Sequence, residues 1–329
     1  MPKVTVVIPV FNSEKYIRRC AVSLMEQTLD EVEYVFVDDG STDDTSSIIR
    51  DVVEEYPHRS ELVRLISREN RGVGASRKQG ILQASGEYII HLDSDDWVDL
   101  QWLEDMYSTA VKSDADVVIC DYTTVCSGKH SYVSQKIGVD KHETLNFLFS
   151  GQLDGFLWNK LVKKDMIFRN NYNIDDNINY LEDFCFVVKT LLLSNKTIHI
   201  PKSYIYYNKD NNNSITSNID EKKILHVEMA LSLIEKHLVS EGLYKKFCSN
   251  LNVFKLKQKL WFILSTEGHL PKKLLKLFPE SKENICTLNR NLIYKAMLYV
   301  SYFGYPSPVF FIKRLERTLI NIRKAWRKV

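Results

Sequence analysis

The first 120 residues alternate between two apolar rhythms. Residues 4–8 are a β-branched run, and in 13–27 the apolar positions Ile17, Cys20 and Leu24 recur at helical spacing. Strand patterns return at 33–37, 62–66, 88–92 and 116–120, and helical patterns at 43–53, 74–84 and 100–111. Strands alternating with helices predict an α/β fold: a Rossmann-like, mostly parallel sheet with helices on both faces. Residues 127–135 are polar and read as a loop, 142–207 mix helix and short strand, and 210–214 form a second polar loop. From 219 onward the pattern is helical, broken at Pro271, Pro279, Pro306 and Pro308. A boundary near 215 separates a domain over 1–215 from a helical region over 216–329.

Ligands of such sheets sit beyond the carboxyl ends of the strands, and each polar cluster here directly follows a strand. Pro9-Val10-Phe11-Asn12 ends the first strand, since a proline donates nothing to a ladder, and Asn12-Ser13 can cap the next helix. Asp38-Asp39-Gly40-Ser41-Thr42-Asp43 supplies a turn and caps, yet capping needs one oxygen and two carboxylates are present. One of them can accept from a base N–H or a ribose hydroxyl. In Asn70-Arg71-Gly72-Val73-Gly74-Ala75-Ser76-Arg77, backbone N–H groups and an arginine could meet phosphate, or the stretch is a plain loop and cap. Asp93-Ser94-Asp95-Asp96 sets three carboxylates within four residues. Their repulsion calls for positive charge, and Mg²⁺ or Mn²⁺ bridging a diphosphate fits; a solvated acidic turn is the plainer reading. Glu182-Asp183 heads a helix and reads alone as a cap. Trp158 is a core aromatic or an acceptor platform.

Composition narrows the partners. The net charge is +2, but seven of the residues from Lys313 onward are basic against one acid, so that tail carries +6 and the rest −4. A helix from Pro308 would place Phe311, Ile312, Leu315, Leu319, Ile322 and Trp326 on one face. Lys313, Arg314, Arg317, Lys324 and Lys328 would lie on the other. Such a helix lies in an anionic membrane surface or packs on its neighbours. Nothing else in the chain supports a nucleic-acid partner. No run of about 18 apolar residues occurs. Residues 1–3 lead straight into a strand, so no secretory leader is expected. The six cysteines show no disulfide or zinc spacing, and Cys20, Cys120 and Cys185 read as buried thiols. The expected location is cytoplasmic, peripheral on the inner face of the cell membrane if the tail binds it.

Taken in order, the clusters resemble the family 2 glycosyltransferases of GT-A fold, especially bacterial enzymes of capsule, O-antigen and teichoic-acid decoration. The resemblance runs through Val6-Val7-Ile8-Pro9-Val10-Phe11-Asn12, Val37 to Asp43, Asn70 to Gly80 and Gly86-Glu87-Tyr88-Ile89 into Asp93-Ser94-Asp95-Asp96. It continues with Leu157-Trp158-Asn159-Lys160-Leu161, Glu182-Asp183 and Tyr206-Tyr207 with Ser214-Ile215, and covers residues 1 to about 216. It implies an inverting transfer of a sugar, a hexose or N-acetylhexosamine, from a nucleotide-diphosphate donor, UDP-linked by expectation. The acceptor is a hydroxyl of a glycan or lipid-linked glycan in bacterial surface-polysaccharide assembly. By position, Pro9 and Asp39 would hold the nucleoside, Asn70 and Arg77 the nucleotide sugar, Asp93 and Asp95 the donor and a divalent metal, and Asp183 would be the catalytic base. The family often has an arginine near Tyr207, where this chain has Asn208-Lys209. Two other readings compete. A sugar nucleotidyltransferase would carry a basic, glycine-rich loop after the first strand, which Pro9-Val10-Phe11-Asn12 lacks. An inactive nucleotide-sugar-binding subunit would have lost Asp95 or Asp183, and both are present.

Overall fold

The computed structural model describes residues 1–211, 221–266 and 270–326. They fall into two compact units, Met1–Ser217 with Ser232–His237, and Asn218–Leu231 with Leu238–Val329. The first unit opens with β1 (Val4–Val10), α1 (Ile17–Met25), β2 (Val32–Asp38), α2 (Thr45–Glu55), β3 (Val63–Ser67), α3 (Val73–Gln83) and β4 (Tyr88–His91). It continues through β5 (Trp97–Val98), α4 (Trp102–Ser113), β6 (Val117–Cys126), β7 (Lys129–Val133), α5 (Lys141–Ser150), β8 (Lys160–Lys163), α6 (Lys164–Arg169), α7 (Glu182–Leu193) and β9 (Thr197–Asn208).

The strands form one sheet in the order β3-β2-β1-β4-β8-β6-β9-β5, with β7 added on β6. The first four are parallel, as is the β6–β9 pair, while β8 runs antiparallel between β4 and β6. The sheet is therefore mixed, parallel where the strand–helix rhythm is regular and antiparallel where it fades. β1 and β2 are buried at every position. Strands covered on both faces read as unbroken apolar runs, which is why their sequence shows no alternation. The strand order reverses at β1, with β2 on one side and β4 on the other. A crevice at the carboxyl ends of such strands is the expected ligand position.

Two local expectations change. Pro9 does not stop β1, which continues through Val10 in register with Asp38. The stretch 127–135 is not simply a loop: β7 returns on β6 through Ser127 and Gly128, both at positive φ. Two such residues between strands make the tight turn whose twist suits a hairpin.

Beyond residue 220 the described regular elements are helical: α8 (Glu221–Ser240), α9 (Tyr244–Ser265), α10 (Lys272–Leu275), a 3-10 turn at Pro279–Ile285, α11 (Leu292–Ser301) and α12 (Pro306–Trp326). No described helix is long and apolar enough to cross a membrane. α12 starts at Pro306, because prolines at 306 and 308 fall in the first turn, where their missing N–H groups cost nothing. It buries Val309, Lys313 and Glu316 and leaves Phe311 and Leu315 exposed at 65% and 46%. Lys313 therefore does not belong to a solvated face; its Nζ donates to the carbonyls of Ile263 (2.9 Å) and Thr266. The side chains of Arg317, Leu319, Ile322, Lys324 and Trp326 lie outside what the structure describes, and so does all of Lys328.

Candidate active site

A cleft of about 380 Å³ opens at the carboxyl ends of β1, β2 and β4. Pro9, Asp39, Asn70, Arg77, Asp93, Asp95, Trp158 and Asp183 all line it, although 174 residues separate the first from the last. The sheet brings Pro9, Asp39, Asn70, Asp93 and Asp95 together, because they end or follow β1, β2, β3 and β4; Arg77 reaches in from α3, Trp158 from the segment before β8 and Asp183 from the first turn of α7.

The two carboxylates ending β2 part company. Asp38 closes its own turn, accepting from the Ser41 N–H (2.9 Å) and the Ser46 hydroxyl. Asp39 turns into the cleft. Its Oδ1 accepts from Arg68 Nε (2.8 Å), Arg68 Nη2 (2.6 Å) and Arg71 N (3.0 Å), and its Oδ2 from Gly72 N (2.7 Å). The remaining capacity of Oδ2 is where a base N–H or a ribose hydroxyl could bond. These contacts also answer the phosphate-loop reading of residues 70–77. The Arg71 and Gly72 N–H groups go to Asp39, and the Gly74 N–H goes to Asn179 Oδ1 (3.2 Å). Gly72 is fixed twice: its φ is +92°, and a Cβ there would stand 2.2 Å from the Asn179 side chain.

Arg77, on α3, is buried and its fork is occupied. Nη2 donates to Asp93 Oδ1 (2.7 Å), and Nη1 to Glu182. It therefore ties the end of β4 to the start of α7 and holds the acids of the cleft in place. Of the three carboxylates after β4, two face the cleft. Asp96 is fully buried and accepts the Asn208 N–H (2.8 Å), and among the described residues no donor reaches its Oδ2. Burial, with Asp95 and Asp93 close by, pushes its carboxyl well above the ordinary range. Asp95 is raised too, by burial first and then by Asp93, and the Asn211 amide (2.8 Å) opposes the rise.

Among the described residues no group of three or more metal-binding side chains gathers. A Mg²⁺- or Mn²⁺-sized ion does not need one, since it takes one or two carboxylates and completes its shell with water and substrate phosphates. Asp93 and Asp95, crowded enough to raise the Asp95 carboxyl, suit that role because a cation relieves their repulsion.

α7 presents the remaining acids. Leu181 enters it at φ +65°, an uncommon backbone for a bulky residue. Glu182 is buried against Arg77 and Asp183 is half-buried in the cleft wall. Burial raises the Asp183 carboxyl and Asp93 adds to the rise, while Arg77, the Phe184 N–H and Lys160 pull it down. Its Oδ1 accepts that N–H at 2.7 Å.

Trp158 meets the cleft but is only 1% exposed. Its ring is stacked under Phe156 and meets Tyr122 edge-on. Sequence reasoning missed Arg68, which follows β3 with no motif around it, and also Phe156 and the part of Arg77 in joining Asp93 to Glu182. The pairing of 77 with 182 could only have come from contact information across 105 residues.

Known proteins share the sequence pattern and the fold. The sequence profile described as glycosyl transferase family 2 matches residues 5–180. A Bacillus subtilis (strain 168) protein that bears the name glycosyltransferase EpsH is 32% identical over 237 residues, 70% of this chain and 67% of that protein. Among solved structures, S. aureus TarS in complex with UDP-GlcNAc has a TM-score of 0.68 at 20% identity, covering 96% of this chain and 92% of that one. A mannosyltransferase of Pyrobaculum calidifontis with GDP-Man and Mn²⁺ has a TM-score of 0.51 at 15% identity, covering 100% and 88%. The fold is thus the GT-A architecture, and the chain is a glycosyltransferase that belongs to glycosyl transferase family 2.

Proposed function

We propose that this enzyme transfers a hexosyl or N-acetylhexosaminyl group from a UDP-sugar to an acceptor hydroxyl with inversion. The observation that carries the reading is the placement of Asp183. A half-buried carboxylate of raised basicity stands in the same cleft as Asp39, Asp93 and Asp95. Pro9 and Asp39 take the nucleoside, Asn70 contacts the nucleotide sugar, and Arg77 fixes Asp93 for the donor. Asp93 and Asp95 hold a divalent cation, which when bound offsets charge on the departing diphosphate.

Asp183 Oδ1 is occupied by the Phe184 N–H, so Oδ2 is the oxygen that takes the acceptor proton. The acceptor oxygen bonds to the anomeric carbon from the face opposite the diphosphate as the bond to the phosphate oxygen breaks. One displacement inverts the configuration. No second carboxylate is needed as a nucleophile. The S. aureus neighbour solved with UDP-GlcNAc supports a uridine donor, and the Pyrobaculum neighbour solved with Mn²⁺ supports the metal.

Residues 1–215 are the donor-binding and catalytic domain in this reading, and the helical region 216–329 serves the acceptor side. The acceptor is a glycan or lipid-linked glycan of surface polysaccharide, met in the cytoplasm at the inner face of the cell membrane. The exposed rings of Tyr299, Phe303, Tyr305 and Phe311 support the membrane partner. So does the charge of residues 271–329, thirteen Lys and Arg against three Glu. The test is incubation with UDP-, GDP- and dTDP-sugars and Mn²⁺, reading diphosphate release with and without acceptor. Release from UDP-sugars that depends on acceptor and metal is expected. Release from none of the donors defeats the reading.

A further inference from the structure

The cleft is lined by five carboxylates, Asp39, Asp93, Asp95, Glu182 and Asp183, and by one guanidinium, Arg77, which two of those acids already occupy. A cation with a nucleoside diphosphate suits the Asp93–Asp95 end. Other parts of the lining are aromatic, with the rings of Phe156, Trp158, Tyr180 and Tyr207. Trp158 has almost no open face. Phe156 lies on it, with ring centroids 4.9 Å apart and planes 14° from parallel, and remains half-buried at the cleft. Tyr122 closes on Trp158 edge-on at 4.7 Å, and Tyr207 lies 5.6 Å away. Trp158 therefore fixes the plane of Phe156 from behind.

The loop that carries both rings is locked from within. Lys160 is 1% exposed, and its ammonium donates to the carbonyls of Asp154 (2.7 Å) and Phe156 (2.7 Å) and to Asn159 Oδ1 (2.8 Å). Three donors meet three acceptors, so this lysine has no hydrogen left for a substrate. Gly155 presses the loop on α7, where a Cβ would stand 2.3 Å from the Phe184 ring, one residue beyond Asp183. An aromatic face is thus held rigidly beside the base.

We propose that Phe156 is the platform for the acceptor's reacting unit, and that this unit is an uncharged pyranose ring. A pyranose presents an apolar C–H face to stack on an aromatic ring, and hydroxyls at its edge for the carboxylates. An acceptor phosphate at the same place would face acids whose nearby cations, Arg77 and Lys160, are engaged. Among the described residues, such a phosphate would have to draw on the exposed Arg19, which lies on the Trp97 ring and acts on Asp95 and Asp96, or on the exposed Lys209, 5.7 Å from the Tyr207 ring centroid. This inference rests on the glycosyl-transfer reading of the cleft.

The test reads binding without turnover. The whole protein is loaded with UDP and Mg²⁺, and saturation-transfer NMR follows methyl β-glucoside, methyl β-galactoside and methyl β-N-acetylglucosaminide beside ribitol phosphate and glycerol phosphate. At least one pyranoside should bind in preference to both alditol phosphates. Phe156→Ala should weaken it about three- to tenfold, Phe156→Trp should restore it, and UDP affinity and the circular-dichroism spectrum should not change in either variant. Equal pyranoside binding by Phe156→Ala overturns the proposal. So does preference for an alditol phosphate, or no pyranoside bound by a protein that binds UDP. Failure of the wild-type protein to bind UDP would instead strike the glycosyl-transfer reading itself.

Discussion

In the α/β unit, buried and half-buried carboxylates crowd together: Asp95, Asp96, Glu182 and Asp183 are all raised, chiefly by burial and in part by neighbouring acids, Asp93 among them. In the helical unit most buried charges are lysines, and the fold itself answers three of them. Lys255 pairs with Glu280 at 2.6 Å, Lys259 donates to the carbonyls of Leu275 (2.7 Å) and Leu277 (3.1 Å), and Lys313 closes the end of α9. Both arrangements bury charge, yet only the second is complete without a ligand. Crowded like charges lining an open cleft mark a place where something positive binds, whereas a lysine wrapped in carbonyls marks a place where helix ends are tied down. Charge along the sequence repeats the contrast: residues 271–329 carry a net +10 and residues 1–270 a net −8.

The sharpest way to break this comparison is to remove an acid from the first unit. Asp95→Ala should abolish metal-dependent donor binding and turnover while both units stay folded, as read by calorimetry with UDP and by thermal melting. Full activity of that variant in chelator would sink the metal assignment.

Asp183→Asn comes next, with an expected fall of about 10²–10⁴-fold in kcat and unchanged donor affinity. Lost donor binding with normal kcat would make Asp183 a donor-site residue.

The pH profile follows from the same crowding. Asp183 works as the carboxylate, and its folded pKa is raised, so the single-turnover rate should fall on the acid side at a higher pH than an ordinary aspartate gives. Removing the neighbouring charge with Asp93→Asn should move that limb of the residual rate to lower pH. An unmoved limb would detach it from Asp183.

In the helical unit the effects should be smaller and concern stability. Burial pushes the Lys259 ammonium down to about 7 from its ordinary 10.5. Between those values the unfolded chain binds more protons than the folded one, so stability rises with pH across that window. Melting temperature should climb from pH 7 to 9, and Lys259→Met should flatten the climb whatever its effect at a single pH.

The smallest expected change is in membrane binding. The full-length protein should co-sediment with anionic vesicles at low salt, each exposed basic residue near the surface adding about 1 kcal/mol. Phe311→Ser with Leu315→Ser should weaken that several-fold without unfolding α12, since both side chains point outward. Protein that stays in the supernatant at low salt removes the membrane from the proposed function.

By itself the sequence determined the alternation of strands and helices through residue 120, the polar clusters at strand ends and the helical character beyond 220. Each is written locally, in apolar period and in the residues that break it. The family resemblance put Pro9, Asp39, Asn70, Arg77, Asp93, Asp95 and Asp183 in one list, and a parallel sheet explains why the ones that follow its strands meet. Only the tertiary structure decided what those side chains do to one another. Asp38 and Asp39 are adjacent and chemically identical, yet one closes a turn and the other faces the cleft, since successive side chains along a strand point to opposite sides. Arg77 meets Glu182 across 105 residues, and Trp158 lies stacked on Phe156 with almost no exposure. β8, which inserts between β4 and β6, has too short an apolar run to announce its partners. Pairing, burial and the choice of which carboxylate remains unpaired are properties of approach between distant segments, and no local pattern encodes them.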